Sequence, residues 1–369
     1  MTIAQRWMGK ISIQKTSTPV LFTVVFLSLL ILKVLSSHGW EPRVFILERP
    51  KDIPTGQTWG VGYDGRFSYA LAVHPWGSVE DLDQPAYRYQ RILFPLLARA
   101  LSFGRPGLVP WAMLVLNLVS AAALCAALSE HLKARGASPW LALVFILSLG
   151  FLITIRMDLL EPMALALALW GWLAYHRRRN NSAVLLFAFA GLTKEVALVF
   201  PVGLALWEGL NRKWKDSLVL VAGSTAPYIA WYIYLYLWLG SSETQIAQSS
   251  LTFPFSGLRL IGDPVSSVVA GLWVLAPAVF SFLLAARDCL LNPAKPYSSD
   301  ALLVVAQVFL IATMPALTWA DPLAILRTGL GFLAVSLVWL ASRHPRALPY
   351  ATALWLPSGF VLFIVPGLL

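Results

Sequence analysis

Long apolar segments recur along the whole chain, and they constrain its fold more than any other feature. Hydrophobic residues make up 58% of the 369 residues, whereas charged residues make up only 12%. A helix needs roughly 20 apolar residues to cross a bilayer, and the absence of an alternation of period two excludes an outer-membrane barrel. The sequence therefore predicts an all-α polytopic membrane protein with about eleven transmembrane helices. The predicted spans are 19–36, 109–129, 140–155, 162–176, 182–192, 196–210, 217–239, 265–286, 300–318, 329–341 and 348–366. The segments 140–155 and 182–192 are short enough to be re-entrant instead.

Basic residues are concentrated in alternate connections between the predicted spans. An excess of Lys and Arg marks the cytoplasmic side of a membrane protein. With the N-terminus inside, 15 of the 28 basic residues fall on that side, namely Arg6, Lys10, Lys15, Lys133, Arg135, Arg177, Arg178, Arg179, Arg212, Lys213, Lys215, Arg287, Lys295, Arg343 and Arg346. The net charge of +10 is thus explained by topology and does not indicate a nucleic-acid partner. We expect a multi-pass protein of the cytoplasmic (inner) membrane with a cytoplasmic N-terminus.

The longest segment outside the predicted spans is a loop at 37–108, which this orientation assigns to the outer, periplasmic face. The loop contains a predicted short helix at 64–74. It also contains a predicted amphipathic helix at 85–103, whose apolar residues recur at helical spacing and which is expected to lie at the bilayer surface. No segment remains for a separate soluble domain, so residues 1–369 are expected to form one integral membrane domain.

Charged residues of both signs gather at the predicted outer face. Ionisable side chains near membrane spans are costly, and they indicate function by default. Four groups are found there: Asp64 and Arg66 with Arg88 and Arg91; Arg156, Asp158 and Glu161; Lys194 and Glu195; and Asp321 with Arg327.

Each group also has a purely structural interpretation. Glu161 and Asp321 each precede a proline, as a helix N-cap does. Lys194 and Glu195 are suited to a structural clamp on Asp158 or Glu161. The two arginines at 88 and 91 are long enough to extend to lipid headgroups.

A carboxylate beside several guanidinium groups at a membrane surface suits one reaction well. Arginine binds phosphate through two hydrogen bonds and stays charged. A nearby aspartate can accept the proton of an acceptor hydroxyl as a sugar is transferred. The groups at the predicted outer face are therefore suited to a lipid-linked phosphosugar, whose phosphate lies at headgroup depth.

Two stretches of the outer loop resemble a known family. They are Tyr63-Asp64-Gly65-Arg66-Phe67 and Tyr87-Arg88-Tyr89-Gln90-Arg91-Ile92-Leu93-Phe94-Pro95. Together they resemble the first outer loop of GT-C superfamily glycosyltransferases, most of all the bacterial relatives of the GPI mannosyltransferases. The corner Thr193-Lys194-Glu195 is similar to a charged outer corner of many members. The resemblance covers about residues 1–200, and beyond that only the topology matches. Many members carry paired acids at the catalytic position, whereas here Gly65 follows Asp64.

The resemblance implies an inverting hexosyl- or mannosyltransferase-like enzyme that uses a polyprenyl-phosphate sugar donor and a glycan or lipid acceptor of the cell envelope. It implies that Asp64 is the essential acid, which we expect to act as general base. The expected ligands of the donor phosphate are Arg88, Arg91, Arg156, Lys194 and Arg327. Supporting roles are expected for Tyr63, Arg66, Asp158, Glu161 and Glu195.

Asp81 and Asp83 form a weak candidate site for a divalent cation, because paired acids can hold a metal ion next to a phosphate. Arginines can neutralise the phosphate instead, so no cofactor is expected to be required. Two other functions stay open. The protein could be a transporter or flippase of a lipid-linked sugar, or a non-catalytic subunit of an envelope-assembly complex.

Overall fold

The structure is a computed structural model that describes residues 15–46, 64–77, 79, 82–240, 253–262, 264–291 and 299–364. Within these residues the chain is almost entirely helical and contains no strand. The helices are α1 Ser17–Ser37, α2 Asp64–Val73, α3 Pro85–Tyr89, α4 Leu93–Leu101, α5 Val109–Ala134, α6 Ala142–Ile146, α7 Leu149–Arg156, α8 Glu161–His176, α9 Asn180–Thr193, α10 Val199–Leu210, α11 Trp214–Leu239, α12 Pro264–Ala270, α13 Ala276–Leu291, α14 Ser299–Ala312, α15 Ala316–Ala320, α16 Pro322–Thr328, α17 Leu330–Arg343, α18 Leu348–Trp355 and α19 Val361–Ile364.

Five helical segments among the described residues are long and apolar enough to cross a membrane, and two bent pairs raise this number to seven. The protein is therefore an all-helical, multi-pass membrane protein. Each span predicted from the sequence contains at least one helix. Several of these helices are shorter than a bilayer requires, so the number of eleven spans stays a prediction.

The predicted span at 140–155 is a pair of helices, α6 and α7, bent by 62°. The bend is stabilised from the C-terminal part of the chain, where the Ser358 hydroxyl accepts a hydrogen bond from the Leu149 amide at 3.1 Å. A side chain at position 359 would collide with the carbonyl oxygen of Leu147, so Gly359 permits this close approach. The second bent pair, α16 and α17, meets at Gly329 with an angle of 44°.

Helices α8 and α9 form an antiparallel hairpin that determines where the charged residues lie. Gly171 of α8 packs on the ring of Phe187, and a Cβ at position 171 would lie 2.8 Å from a ring carbon. The two helices have similar lengths, 16 and 14 residues. The first residue of α8, Glu161, is therefore at the same end of the hairpin as Lys194, which follows α9.

The amphipathic segment at 85–103 is not one helix, as the sequence predicted, but two, α3 and α4, separated by Gln90–Ile92. Pro95 explains the break, because it has no N–H to donate to the carbonyl of Arg91 and its ring would collide with that carbonyl in a continuous helix. The predicted helix at 64–74 is confirmed as α2. Arg99 of α4 joins the two segments by donating to the carbonyl oxygens of Ala72 and Val73 at 3.1 and 2.7 Å.

Candidate functional site

Charged residues from five separate segments meet at the end of the α8–α9 hairpin. Their positions in the elements differ: some begin a helix, some end one, and some lie in a connection. We call this group the ion-pair cluster; it consists of Asp64, Asp83, Arg88, Arg91, Glu161, Lys194, Glu195 and Arg327. All eight had been singled out from the sequence, and their convergence depends on the tertiary fold because most of the partners are far apart in the chain.

Asp64 is the centre of the cluster and contacts three guanidinium groups. Arg88 Nη1 lies 2.6 Å from Oδ1, and Arg327 Nη1 lies 3.2 Å from Oδ2. Arg91 Nη1 lies 3.6 Å from the same Oδ2. Burial by itself would raise the pKa of the Asp64 carboxyl group, but the three guanidinium charges outweigh burial and hold this pKa well below its usual range. Asp64 is therefore ionised, and its basicity is low in this arrangement.

Each of these arginines also pairs with a second carboxylate of its own. Arg88 binds Asp83 through two hydrogen bonds of 2.8 Å. Arg91 binds Glu195 through hydrogen bonds of 2.9 and 2.7 Å. Asp64 is thus the only acid of the cluster that Arg88 and Arg91 share.

The third arginine follows the same pattern on the other side of Asp64. Arg327 Nη1 bridges Asp64 and Glu161, whose Oε1 is 3.1 Å away. Lys194 Nζ lies 2.6 Å from the same Glu161 oxygen. The eight residues therefore form one continuous network in which four acids balance four bases.

Aromatic rings hold the guanidinium groups of Arg88 and Arg91 in position. The guanidinium carbon of Arg88 lies 3.8 Å from the ring centre of Phe67, and that of Arg91 lies 4.3 Å from the ring centre of Tyr87. The Tyr87 hydroxyl also accepts a hydrogen bond from Arg91 Nη2. Such contacts fix planar cations by cation–π attraction.

Gly65 has a steric role in the packing of α2. A side chain at position 65 would collide with the carbonyl oxygen of Met157, so only glycine lets α2 approach the connection between α7 and α8. A second acid directly after Asp64 would not fit in this packing.

The structure does not bring Arg156 and Asp158 into the cluster, although Glu161 is close to both in sequence. Arg156 donates to the carbonyl oxygen of Val44 at 2.9 Å. Asp158 is fully buried and accepts a hydrogen bond of 2.6 Å from Asn117 of α5. Asp158 has a positive φ of 51°, which turns the chain between the two contacts. Lys194, for which a structural clamp was suggested, pairs with Glu161 and not with Asp158.

The remaining sequence-based expectations have mixed outcomes. Asp321 caps α16, since its Oδ1 accepts from the Leu323 amide at 2.9 Å, which confirms the structural interpretation. Glu161 begins α8, but its side chain makes the ion pairs described above and no capping hydrogen bond. Arg66 lies over the ring of Phe67 at 4.6 Å. Tyr63 and Asp81 lie outside the described residues.

Asp83, proposed from the sequence as a weak metal candidate, is a partner of Arg88. The hydrogen bonds and charge of Arg88 outweigh burial and lower the pKa of the Asp83 carboxyl group. Among the residues that the structure describes, no group of three or more His, Cys, Asp or Glu side chains is arranged to hold a metal ion. That no cofactor is required stays a prediction.

Sequence reasoning missed three polar residues: Tyr87 and Gln307, which lie beside the cluster, and Asn117, which binds Asp158. Tyr87 lies within the motif that had been quoted, but no role was assigned to it. Asn117 and Gln307 are amides inside apolar helices, α5 and α14, and both are almost completely buried. A lone amide in an otherwise apolar span was the signal that could have identified them.

Two cavities border the ion-pair cluster. The smaller one is lined by Asp64, Arg88 and Arg91 together with Leu160 and side chains of α2. The larger one is lined by Glu161, Lys194 and Arg327 and extends to Gln307. The cluster thus separates two spaces, of which the first gives access to Asp64.

No protein-family model matches this chain, and neither the curated proteins nor the solved structures contain a match.

Proposed function

We propose that this protein is a membrane glycosyltransferase that transfers a sugar from a polyprenyl-phosphate donor to a glycan or lipid acceptor. The observation that carries the proposal is the arrangement around Asp64. One carboxylate is surrounded by three guanidinium groups beside a cavity, and each guanidinium has another carboxylate to hold it in place. Such a group of cations is suited to a phosphate, and Asp64 is suited to accept a proton.

In this reaction, the acceptor hydroxyl oxygen bonds to the anomeric carbon of the sugar while its proton passes to Asp64. The bond between the anomeric carbon and the phosphate oxygen breaks, and polyprenyl phosphate leaves with the electron pair. The attack comes from the face opposite the phosphate, so the configuration is inverted. Arg88, Arg91 and Arg327 stabilise the charge that develops on the leaving phosphate.

The charge balance of the cluster implies an exchange of partners when the donor binds. With four acids and four bases, no cation is in excess, so a phosphate must compete with Asp64 for the guanidinium groups. As they turn toward the phosphate, the cause of the low Asp64 pKa is removed and its proton affinity rises. Asp83, Glu195 and Glu161 keep the arginines in place during this exchange. Donor binding would thus activate the base.

The test is transfer by the purified protein in proteoliposomes, with a panel of polyprenyl-phosphate sugars as donors and release of polyprenyl phosphate as readout. Asp64→Asn and Arg91→Ala should lose transfer. Glu130→Gln is a matched control, because Glu130 forms a surface pair with Arg177 outside the cluster. Full activity of a folded Asp64→Asn variant would contradict the proposal. Binding of a donor without turnover by the unaltered protein would favour a transporter or flippase, and absence of both would favour an assembly subunit.

We also propose that the cluster faces the outside of the cytoplasmic membrane and that the N-terminus is inside. The distribution of basic residues supports this orientation. Single cysteines at two exposed positions, Phe103→Cys near the cluster end and Arg178→Cys in the α8–α9 turn, provide the test. In intact spheroplasts, a membrane-impermeant thiol reagent should label only the first variant above the background of the parent protein. Labelling of Arg178→Cys alone would reverse the orientation.

A further inference from the structure

The turn between α3 and α4 carries Arg91, and it has few hydrogen bonds of its own. The Arg91 amide donates to the carbonyl oxygen of Arg88 at 3.3 Å, which is long for such a bond. Pro95 has no N–H that could donate to the Arg91 carbonyl oxygen. The backbone position of Arg91 therefore depends on contacts from outside the turn.

Helix α11 supplies two hydrogen bonds to the residues just before Arg91. Trp231 Nε1 donates to the carbonyl oxygen of Tyr89 at 2.7 Å, and the Tyr228 hydroxyl donates to Gln90 Oε1 at 2.8 Å. Tyr89 and Gln90 are both almost completely buried. The two donors are three residues apart in the helix, so both side chains extend from one face of α11 toward the turn.

The second half of α11 also packs against the apolar side of this turn. Tyr89 and Ile92 belong to a buried group that contains Leu235 of α11. The ring centre of Tyr89 lies 5.0 Å from that of Trp238, and the two rings meet edge to face. The second half of α11 is thus the support on which the turn rests.

The side chain of Arg91 requires a well-defined backbone position. It is 5% exposed, and its guanidinium makes two hydrogen bonds to Glu195 and lies 3.6 Å from Asp64. Two parallel hydrogen bonds from one guanidinium tolerate only small displacements. A shift of the turn would therefore break the pairing with Glu195, and a misplacement of roughly 1 Å can slow a reaction about a hundred-fold.

We propose that Tyr228 is a positioning residue that holds Arg91 in the ion-pair cluster through its hydrogen bond to Gln90. The consequence for sugar transfer rests on the proposed function, whereas the consequence for the position of Arg91 does not. A hydrogen bond that served stability alone would protect all buried arginines to the same extent. The bond from Tyr228 instead protects Arg91 more than the others.

The test compares Tyr228→Phe with Tyr236→Phe, a matched control on the same helix whose side chain is 46% exposed. The full-length protein in detergent micelles is treated with phenylglyoxal, which modifies arginine, and each modified residue is quantified by mass spectrometry. Arg156 is the internal reference, because it is buried like Arg91 and lies outside the cluster. We expect Tyr228→Phe to raise the ratio of modified Arg91 to modified Arg156 about five-fold, as the loss of one hydrogen bond implies, and Tyr236→Phe to leave it unchanged.

Sugar transfer per folded molecule is the second readout, and kcat/KM should fall about five-fold or more in Tyr228→Phe. Combining Tyr228→Phe with Gln90→Leu removes both partners of the bond, so no buried acceptor is left unpaired and stability is largely restored. Transfer by the double variant should stay low, because Arg91 is still without its support. Normal transfer by the double variant would show that the bond serves stability alone and would overturn the proposal.

The modification ratio also separates this proposal from the proposed function. An unchanged ratio in Tyr228→Phe would overturn the proposal whatever the transfer rate. A raised ratio with unchanged transfer would overturn it as well, because the position of Arg91 would then not matter to the reaction. If the unaltered protein transfers no sugar, the proposed function is contradicted, and the ratio alone decides whether Tyr228 holds Arg91 in the cluster.

Discussion

Replacing Asp64 by asparagine should have opposite effects on anion binding and on turnover. The substitution removes one negative charge and keeps the side-chain shape. The cluster then has four bases and three acids, and Arg88, Arg91 and Arg327 lose only the partner that they share. We expect the variant to bind polyprenyl phosphate more tightly than the unaltered protein and to transfer sugar far more slowly.

The size of the binding effect follows from the charge that is removed. Two unit charges roughly 5 Å apart interact by about 3 kcal/mol at an effective dielectric constant of about 20. Solvent reaches Asp64, whose side chain is 17% exposed, and lowers this figure. A gain of about 1.4 to 2.7 kcal/mol remains, which corresponds to roughly 10- to 100-fold tighter binding. Loss of a general base slows the transfer by roughly 100- to 10,000-fold.

The assay measures binding of polyprenyl phosphate by intrinsic tryptophan fluorescence and transfer by release of product, on the same preparations. Glu130→Gln, the same type of change outside the cluster, should alter neither quantity. If Asp64 had only a structural role, its removal would weaken binding and turnover together. A folded Asp64→Asn variant that binds polyprenyl phosphate no more tightly than the unaltered protein would refute the exchange of partners.

Three further predictions concern stability and geometry. Asp300→Asn removes the buried partner of Arg135, 2.8 Å away, and should lower the free energy of unfolding by about 3 to 5 kcal/mol in mixed micelles, with unchanged transfer per folded molecule. Because the pKa of Asp64 is lowered in the folded state, its contribution to stability is present above a pH of about 4 and is lost as the pH falls further. Denaturant midpoints measured between neutral and acidic pH should therefore fall more for the unaltered protein than for Asp64→Asn. Pro95→Ala restores the N–H that a helix would use toward the carbonyl of Arg91, so α3 and α4 should join and displace Arg91. Transfer should fall about a hundred-fold, with helix content rising in circular dichroism; unchanged transfer would show that the break does not position Arg91.

The positions of the helices could be predicted because apolar length and spacing depend on local sequence alone. The bend between α6 and α7 could not, since it depends on a hydrogen bond from Ser358 and on close packing against Gly359, both about 200 residues away. The break before α4 could have been predicted from the sequence. Pro95 stands four residues after Arg91, and a helix across that position would lose the hydrogen bond between them.

The membership of the site could be predicted better than its pairing. Charges in an apolar chain are costly, and this cost identified every member of the cluster except Asp83, which was singled out as a metal candidate. Sequence distance was a poor guide to partners. Glu161 pairs with Lys194 and Arg327. Asp158, only three residues before it, instead accepts a hydrogen bond from Asn117. The positive φ of Asp158 turns the chain between the contacts of Asp158 and Glu161, and nothing in the local sequence indicates this backbone conformation.

The second carboxylate partners explain how a group of cations can be kept next to a membrane without a substrate. A buried arginine without a counter-ion is strongly unfavourable, and a site of bare cations would not be stable. Asp83, Glu195 and Glu161 supply one partner each, so removal of Asp64 leaves no arginine without a carboxylate. The charge of Asp64 can therefore change although Asp64 contacts three arginines, because each of them keeps a carboxylate of its own. A residue that gains and loses a proton in each reaction cycle needs this property.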